Sequence, residues 1–124
     1  MKILNLTLNS STKEQIDQGV VDLTESDKKL LIECLTFDHM PTYIQMVDKA
    51  EIIEDIVKKY NVDAAMIDCK PFFLPILASC LSFQCQVLYP FYEEEIIEIT
   101  KEDGRTEKIS NCKHIGFVEH GEYL

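Results

Sequence analysis

Residues 63–80 read DAAMIDCKPFFLPILASC. A short apolar run, Ala64-Ala65-Met66-Ile67, stops at Asp68-Cys69-Lys70-Pro71, and a second apolar run follows. A short apolar run bounded by polar residues fits a buried strand, and a longer one opened by proline fits a helix. The stretch therefore predicts a strand over about residues 63–68 and a helix from Pro71 to about residue 83, joined by a tight turn. Strands that feed helices in this way alternate in α/β proteins, whose mostly parallel sheets are covered by helices on both faces.

The segments on either side continue the alternation. Leu4, Leu6 and Leu8 alternate with Asn5, Thr7 and Asn9, which predicts a first strand at about residues 2–8. Asn9-Ser10-Ser11-Thr12 is a turn cluster, and Thr12 with Gln15 forms a capping-box pattern for a short helix that stops at Gly19. Val20–Leu23 reads as a short second strand, and Thr24-Glu25-Ser26-Asp27 caps a helix with Leu30, Leu31, Cys34 and Leu35 on one face. Pro41 stands near the start of the longest helix, whose stripe runs Ile44, Val47, Ala50, Ile53, Val57 and Tyr60 before Asn61 stops it. Gln86–Tyr89 begins a fourth strand, with Pro90-Phe91-Tyr92-Glu93 as the loop after it. Beyond, Ile97 and Ile99 alternate with Glu98 and Thr100, Asp103-Gly104 signals a hairpin turn, and Glu107–Ser110 returns. Ile115–Val118 closes the chain as a final strand. The expected fold is an α/β Rossmann-like three-layer sandwich, one domain over residues 1–124, with a mostly parallel sheet and a C-terminal β-hairpin ribbon.

The bulk composition narrows the function classes. A chain of 124 residues with 46% hydrophobic and 27% charged residues is an ordinary globular length and mix. Twelve basic against 22 acidic residues give a net charge of -10, which argues against duplex nucleic acid as a partner, because that binding runs on phosphate neutralisation. No apolar stretch approaches the roughly 18 residues of a membrane span, and MKILNLTLNS has a strand pattern rather than that of a signal peptide. The odd set of cysteines, at 34, 69, 80, 85 and 112, has no disulfide-framework layout, so a cytoplasmic protein with reduced thiols is expected.

Ligands of such sheets sit at the carboxyl ends of the strands, near the point where strand order reverses. Three loops qualify: Asn9-Ser10-Ser11, Asp68-Cys69-Lys70, and Pro90 to Glu93. Asn9, Ser10 and Ser11 are able to hold a phosphate or a ribose hydroxyl, and equally to cap the next helix. Lys70 can place an ammonium over an anion, or stand solvated near a helix start. Cys69, a thiol beside that ammonium, is either a nucleophile or a semi-buried turn cysteine, with Asp68 opposing the thiolate. Cys112-Lys113-His114 with His120 has metal-ligand types without a matched second half, so no metal is expected. Glu93, Glu94, Glu95 and Glu98 form the densest charge cluster. On a strand Glu93 and Glu95 share one side while Glu94 faces away, which fits a solvated ribbon face as well as a cation site.

In layout the chain resembles a family of small CRISPR-associated proteins of CARF-like, Rossmann-type fold, the stand-alone ring nucleases of type III antiviral defence systems, as a divergent member. The similarity lies in the first strand with Asn9-Ser10-Ser11 and the Thr12-Lys13-Glu14-Gln15 helix start, and in Ala65-Met66-Ile67 with its turn and apolar helix. It is densest in the ribbon: Tyr89, Glu95-Ile96-Ile97-Glu98, Glu102-Asp103-Gly104-Arg105 and Lys113-His114-Ile115-Gly116-Phe117. The resemblance implies a homodimer with a shared pocket for cyclic oligoadenylate and no cofactor or metal. Ribose 2′-hydroxyls attack adjacent phosphates there while the protein positions the ring. By position it implies that Asn9, Ser10, Ser11, Asp68, Cys69 and Lys70 line the pocket, with Tyr89, Tyr92 and Glu93 at its rim and Ser11 and Lys70 closest to the chemistry. Two other readings stay open: a non-catalytic interaction module of the same fold with an acidic binding surface, and a small enzyme using Cys69.

Overall fold

The computed structural model describes residues 1–121. Its elements follow the order β1 (Ile3–Thr7), α1 (Lys13–Asp17), β2 (Val20–Val21), α2 (Glu25–Leu35), α3 (Tyr43–Lys58), β3 (Ala64–Asp68), α4 (Leu74–Leu81), β4 (Gln86–Thr100) and β5 (Thr106–Glu119). They form an α/β fold around a mixed five-stranded sheet of order β2-β1-β3-β4-β5. The first four strands are parallel and β5 is antiparallel to β4. The chain steps from β1 to β2 on one side, then crosses to β3 on the other, so strand order reverses at β1.

Both faces of the parallel strands are buried, as expected for strands flanked on each side. Leu4, Leu6, Ala65, Ile67 and Val87 point into the larger core, where they meet Leu31, Cys34 and Leu35 of α2, Ala50, Ile53 and Val57 of α3, and Leu77, Ala78 and Leu81 of α4. Ile3, Val20, Ala64, Met66 and Leu88 form a smaller cluster of their own, with Phe117 of β5 packed against it.

The helices start largely as their caps dictate. Thr12 and Thr42 each close a capping box, with Gln15 and Gln45 three residues on, and Thr24 caps α2 through the Asp27 amide. Gly19 ends the first excursion at φ +101°, where an added Cβ would lie 2.2 Å from the Met1 carbonyl oxygen. Two expected stripes are trimmed: Leu30 and Ile44 are exposed, because α2 buries a narrower face and the first turn of α3 extends past the core. Pro71 does not open α4. Residues 71–73 form a turn, and Pro75 sits in the helix's first turn, where its missing N–H costs nothing.

The C-terminal half departs most from expectation. Residues 90–93 are not a loop, since β4 runs unbroken from Gln86 to Thr100, and the two expected return strands are one, β5. Pro90 is tolerated because the pairing of β4 with β3 ends at Leu88, so the missing N–H leaves no bond unmade on that side. Beyond this point β4 and β5 form a two-stranded ribbon, closed by a turn in which Gly104 takes φ +81°. The register slips between Phe91 and Tyr92, leaving Ile115 unpaired as a bulge where the ribbon leaves the sheet.

Candidate functional site

The carboxyl ends of β1 and β3 lie side by side, with Thr7 in register with Asp68. The loops Asn9-Ser10-Ser11 and Asp68-Cys69-Lys70 therefore leave the sheet next to each other, at the point where strand order reverses.

The first loop is held from beneath by a buried polar network. Asn5, only 1% exposed, donates its amide hydrogens to the Asn9 carbonyl (2.8 Å), to Ser11 Oγ (3.1 Å) and to Asp22 Oδ1 (2.8 Å). Its Oδ1 accepts from the Thr7 amide and hydroxyl. Ser11 Oγ donates to Asp22 Oδ1 at 2.6 Å, and Lys28 reaches from α2 to the Thr7 carbonyl at 2.6 Å. Burial pushes the Asp22 carboxyl up, but the hydrogen bonds from Ser11 and Asn5, with Lys28 nearby, outweigh it and hold Asp22 below its ordinary value. The Ser11 hydroxyl thus gives its proton to Asp22 and takes one from Asn5. It shapes the loop, whereas the exposed side chains of Asn9 and Ser10 have no hydrogen-bond partner among the described residues.

The second loop is a plain turn. The Lys70 carbonyl accepts from the amides of Phe73 and Leu74, which occupies donors that a bound anion would need at the start of α4. Asp68 and Lys70 are exposed, and no ion pair engages Lys70 among the described residues. Cys69 is half-buried, and burial, with the Asp68 charge second, pushes its thiol up to about 11. A thiol of that kind is protonated and inert near neutrality, the opposite of an activated nucleophile. Phe72, half exposed beside Lys70, packs edge-on against Phe37 at 5.0 Å, which joins this turn to a 220 Å³ pocket lined by Phe37, His39, Gln45 and Lys49 among others.

Tyr89, Tyr92 and Glu93 are not brought together. Tyr89 packs on the larger core, with its hydroxyl 2.8 Å from His120 Nδ1. Tyr92 turns to α1, where its hydroxyl accepts from Gln15 Nε2 at 3.2 Å. Glu93 is exposed on the ribbon opposite Lys113. The acidic run follows the same geometry: Glu94 faces Cys112 and accepts from Ser110, and Glu98 faces Lys108. Among the described residues no three His, Cys, Asp or Glu side chains converge as a metal site requires. Cys112 is exposed on the ribbon, and all five cysteines are unpaired. No helix of the described residues is long and apolar enough to cross a membrane.

Sequence reasoning misses Asn5, Thr7, Asp22 and Lys28, although the signal is present. A strand of a parallel sheet covered on both faces has no solvated side, so its alternating polar residues must be bonded inside. No protein-family model matches the chain, and neither does any curated protein or any solved structure.

Proposed function

We propose that the chain is a CARF-like domain of the ring-nuclease type, a Rossmann-like three-layer sandwich that binds a cyclic oligoadenylate across the carboxyl ends of β1 and β3 as a homodimer. One observation carries the reading: two loops with unengaged hydrogen-bonding and cationic groups, Asn9, Ser10 and Lys70, emerge together at the strand-order reversal, and a buried network built around Asn5 holds one of them in shape. A preorganised loop such as Asn9–Ser11 favours positioning a ligand over attacking it, as a reaction driven by the ligand's own 2′-hydroxyl demands. In that reaction the 2′-oxygen bonds to the adjacent phosphorus and the 5′-oxygen leaves, giving a linear product with a cyclic phosphate end. Lys70, which no ion pair engages among the described residues, would offer its ammonium to the developing charge, and the exposed face of Phe72 would give a base a surface to stack on. Burial and the Asp68 charge push the Cys69 thiol up to about 11, which counts against the thiol-enzyme alternative.

The test is incubation with cyclic tetra-adenylate and cyclic hexa-adenylate, followed by thermal shift and by chromatography for linear products. Binding of one ring, weakened about tenfold in Lys70→Ala as expected for loss of one charged hydrogen bond, supports the reading. Absence of binding and of cleavage at micromolar protein sinks it. A second reading, a non-catalytic interaction module, is favoured by the ribbon itself, whose residues 91–113 are exposed throughout and include Ile96, Ile97, Ile99 and Ile109. It gains if neither ring binds.

A further inference from the structure

Gln15 is 2% exposed, and its amide is used in two directions at once. Oε1 accepts from the Thr12 amide at 3.0 Å, while Nε2 donates to Tyr92 Oη at 3.2 Å and faces His114 Nδ1 at 3.4 Å. Because Oε1 is committed to Thr12, the group presented to His114 is the NH2, and His114 Nδ1 must accept. The imidazole proton is therefore on Nε2, which donates to Gln18 Oε1 at 3.1 Å. One short helix thus joins residues far apart in sequence: the root of the ribbon on one side, and Thr12, next to Ser11, on the other.

We propose that Gln15 is a positioning residue through which the root of the β4–β5 ribbon sets the Asn9–Ser11 loop, and that a neutral His114 is required for the connection. A planar amide cannot move one end alone. Protonated His114 would present Nδ1–H to the NH2 of Gln15, donor against donor. The contact is restored only if the amide turns over, and this carries Oε1 away from Thr12 and opens the capping box. The surroundings favour the neutral ring: burial lowers the proton affinity of His114, and Glu14 on α1, which acts against this, is outweighed. Among the described residues, the side chains of Gln15, Gln18, Tyr92 and Phe117 also stand against the ring.

The test reads the ligand-free protein first, by nitrogen-15 NMR of the imidazole and by hydrogen exchange corrected for intrinsic rates, between pH 5 and pH 8. The expected results are the Nε2–H tautomer at pH 7, and a five- to tenfold loss of protection at the Thr12 amide when His114 is protonated, about the worth of one net hydrogen bond. Protection at the ribbon root falls with the same midpoint. His114→Gln keeps the protection and removes its pH dependence. Gln15→Glu keeps the capping box but offers His114 an acceptor, so the His114 titration moves upward. An Nδ1–H tautomer overturns the proposal, as does Thr12 protection indifferent to His114 protonation or a His114 titration unmoved in Gln15→Glu. A last arm rests on the proposed ligand: affinity for cyclic tetra-adenylate should follow the same pH midpoint in the wild type and be flat in His114→Gln. If no ring binds in any form, the proposed function fails while the coupling is judged by the exchange data alone. If a ring binds equally across pH while Thr12 protection changes, the coupling stands and the loop does not position the ligand; if a ring binds while Thr12 protection ignores His114 protonation, this inference fails with the proposed function intact.

Discussion

Replacing Asn5 by aspartate changes one NH2 group into an oxygen and tests the network directly. The wild-type amide lies 2.8 Å from Asp22 Oδ1, so the variant puts two carboxylates at that separation. With both ionised, an effective dielectric constant of about 20 gives a repulsion of about 6 kcal/mol. The pair avoids this by taking up a proton, which at pH 7 costs about 1.4 kcal/mol for each unit above an ordinary Asp pKa near 3.9, or about 4 kcal/mol. Proton uptake is the cheaper course, so Asn5→Asp should lose about 4 kcal/mol at pH 7. The folded pair has a raised pKa and binds more protons than the unfolded chain, so its stability falls as pH rises. The deficit should shrink by about 1.4 kcal/mol per unit on acidification, to roughly 1.5 kcal/mol at pH 5. In the wild type Asp22 has the opposite sign: its lowered pKa contributes stability above the ordinary carboxylate range that is lost on acidification below it. Urea unfolding of both proteins at pH 5, 6 and 7, followed by far-UV circular dichroism, measures the difference, in which the shared contribution of His114 cancels. A deficit below about 1 kcal/mol at pH 7, or one independent of pH, would refute the Asn5–Asp22 contact, because either lies outside this arithmetic.

Two further outcomes follow from particular positions. Gly19→Ala should cost at least about 1–2 kcal/mol, the penalty of a left-handed non-glycine residue, with the clash against the Met1 carbonyl added. Urea unfolding that shows less than about 0.5 kcal/mol would deny that geometry. Alkylation at pH 8 should label exposed Cys112 first and Cys69 far more slowly, since a thiol with its pKa near 11 is almost wholly protonated there. Mass spectrometry that finds Cys69 modified as fast as Cys112 would mean that its thiol is activated rather than inert.

The parallel half of the sheet is legible in the sequence because its signals are local. Ala64–Ile67 is apolar on both faces and bounded by turn residues, and the Thr12/Gln15 and Thr42/Gln45 pairs mark helix starts by themselves. The middle of β4 is not, because Pro90 argues locally against a strand and residues 90–93 read as a loop. Only the absence of a neighbour on one side makes proline harmless there. The two loops of the candidate site follow from strand order, but the residues that hold them do not. Asn5 and Thr7 look like the wet face of an amphipathic strand until both faces of β1 are seen to be covered. Gln15 shows only its cap in the sequence. Its second set of partners lies 77 and 99 residues away, where no local pattern reaches.

The interior position of β1 also bears on how the chain reaches this fold. The earliest of the five strands in sequence lies inside the sheet, between β2 and β3, and until residue 64 appears it has only Val20 and Val21 to pair with. Asn5 can meet Asp22 early, but Gln15 must wait for His114, almost the end of the described chain. Contacts of such sequence separation carry a loop-closure cost before they return any stability, and they slow folding. The strand-end loops should therefore take shape in two stages, the Asn5 network first and the ribbon's hold on α1 last. A nascent chain caught between them would hold its first loop nearly in place with its ribbon still unformed.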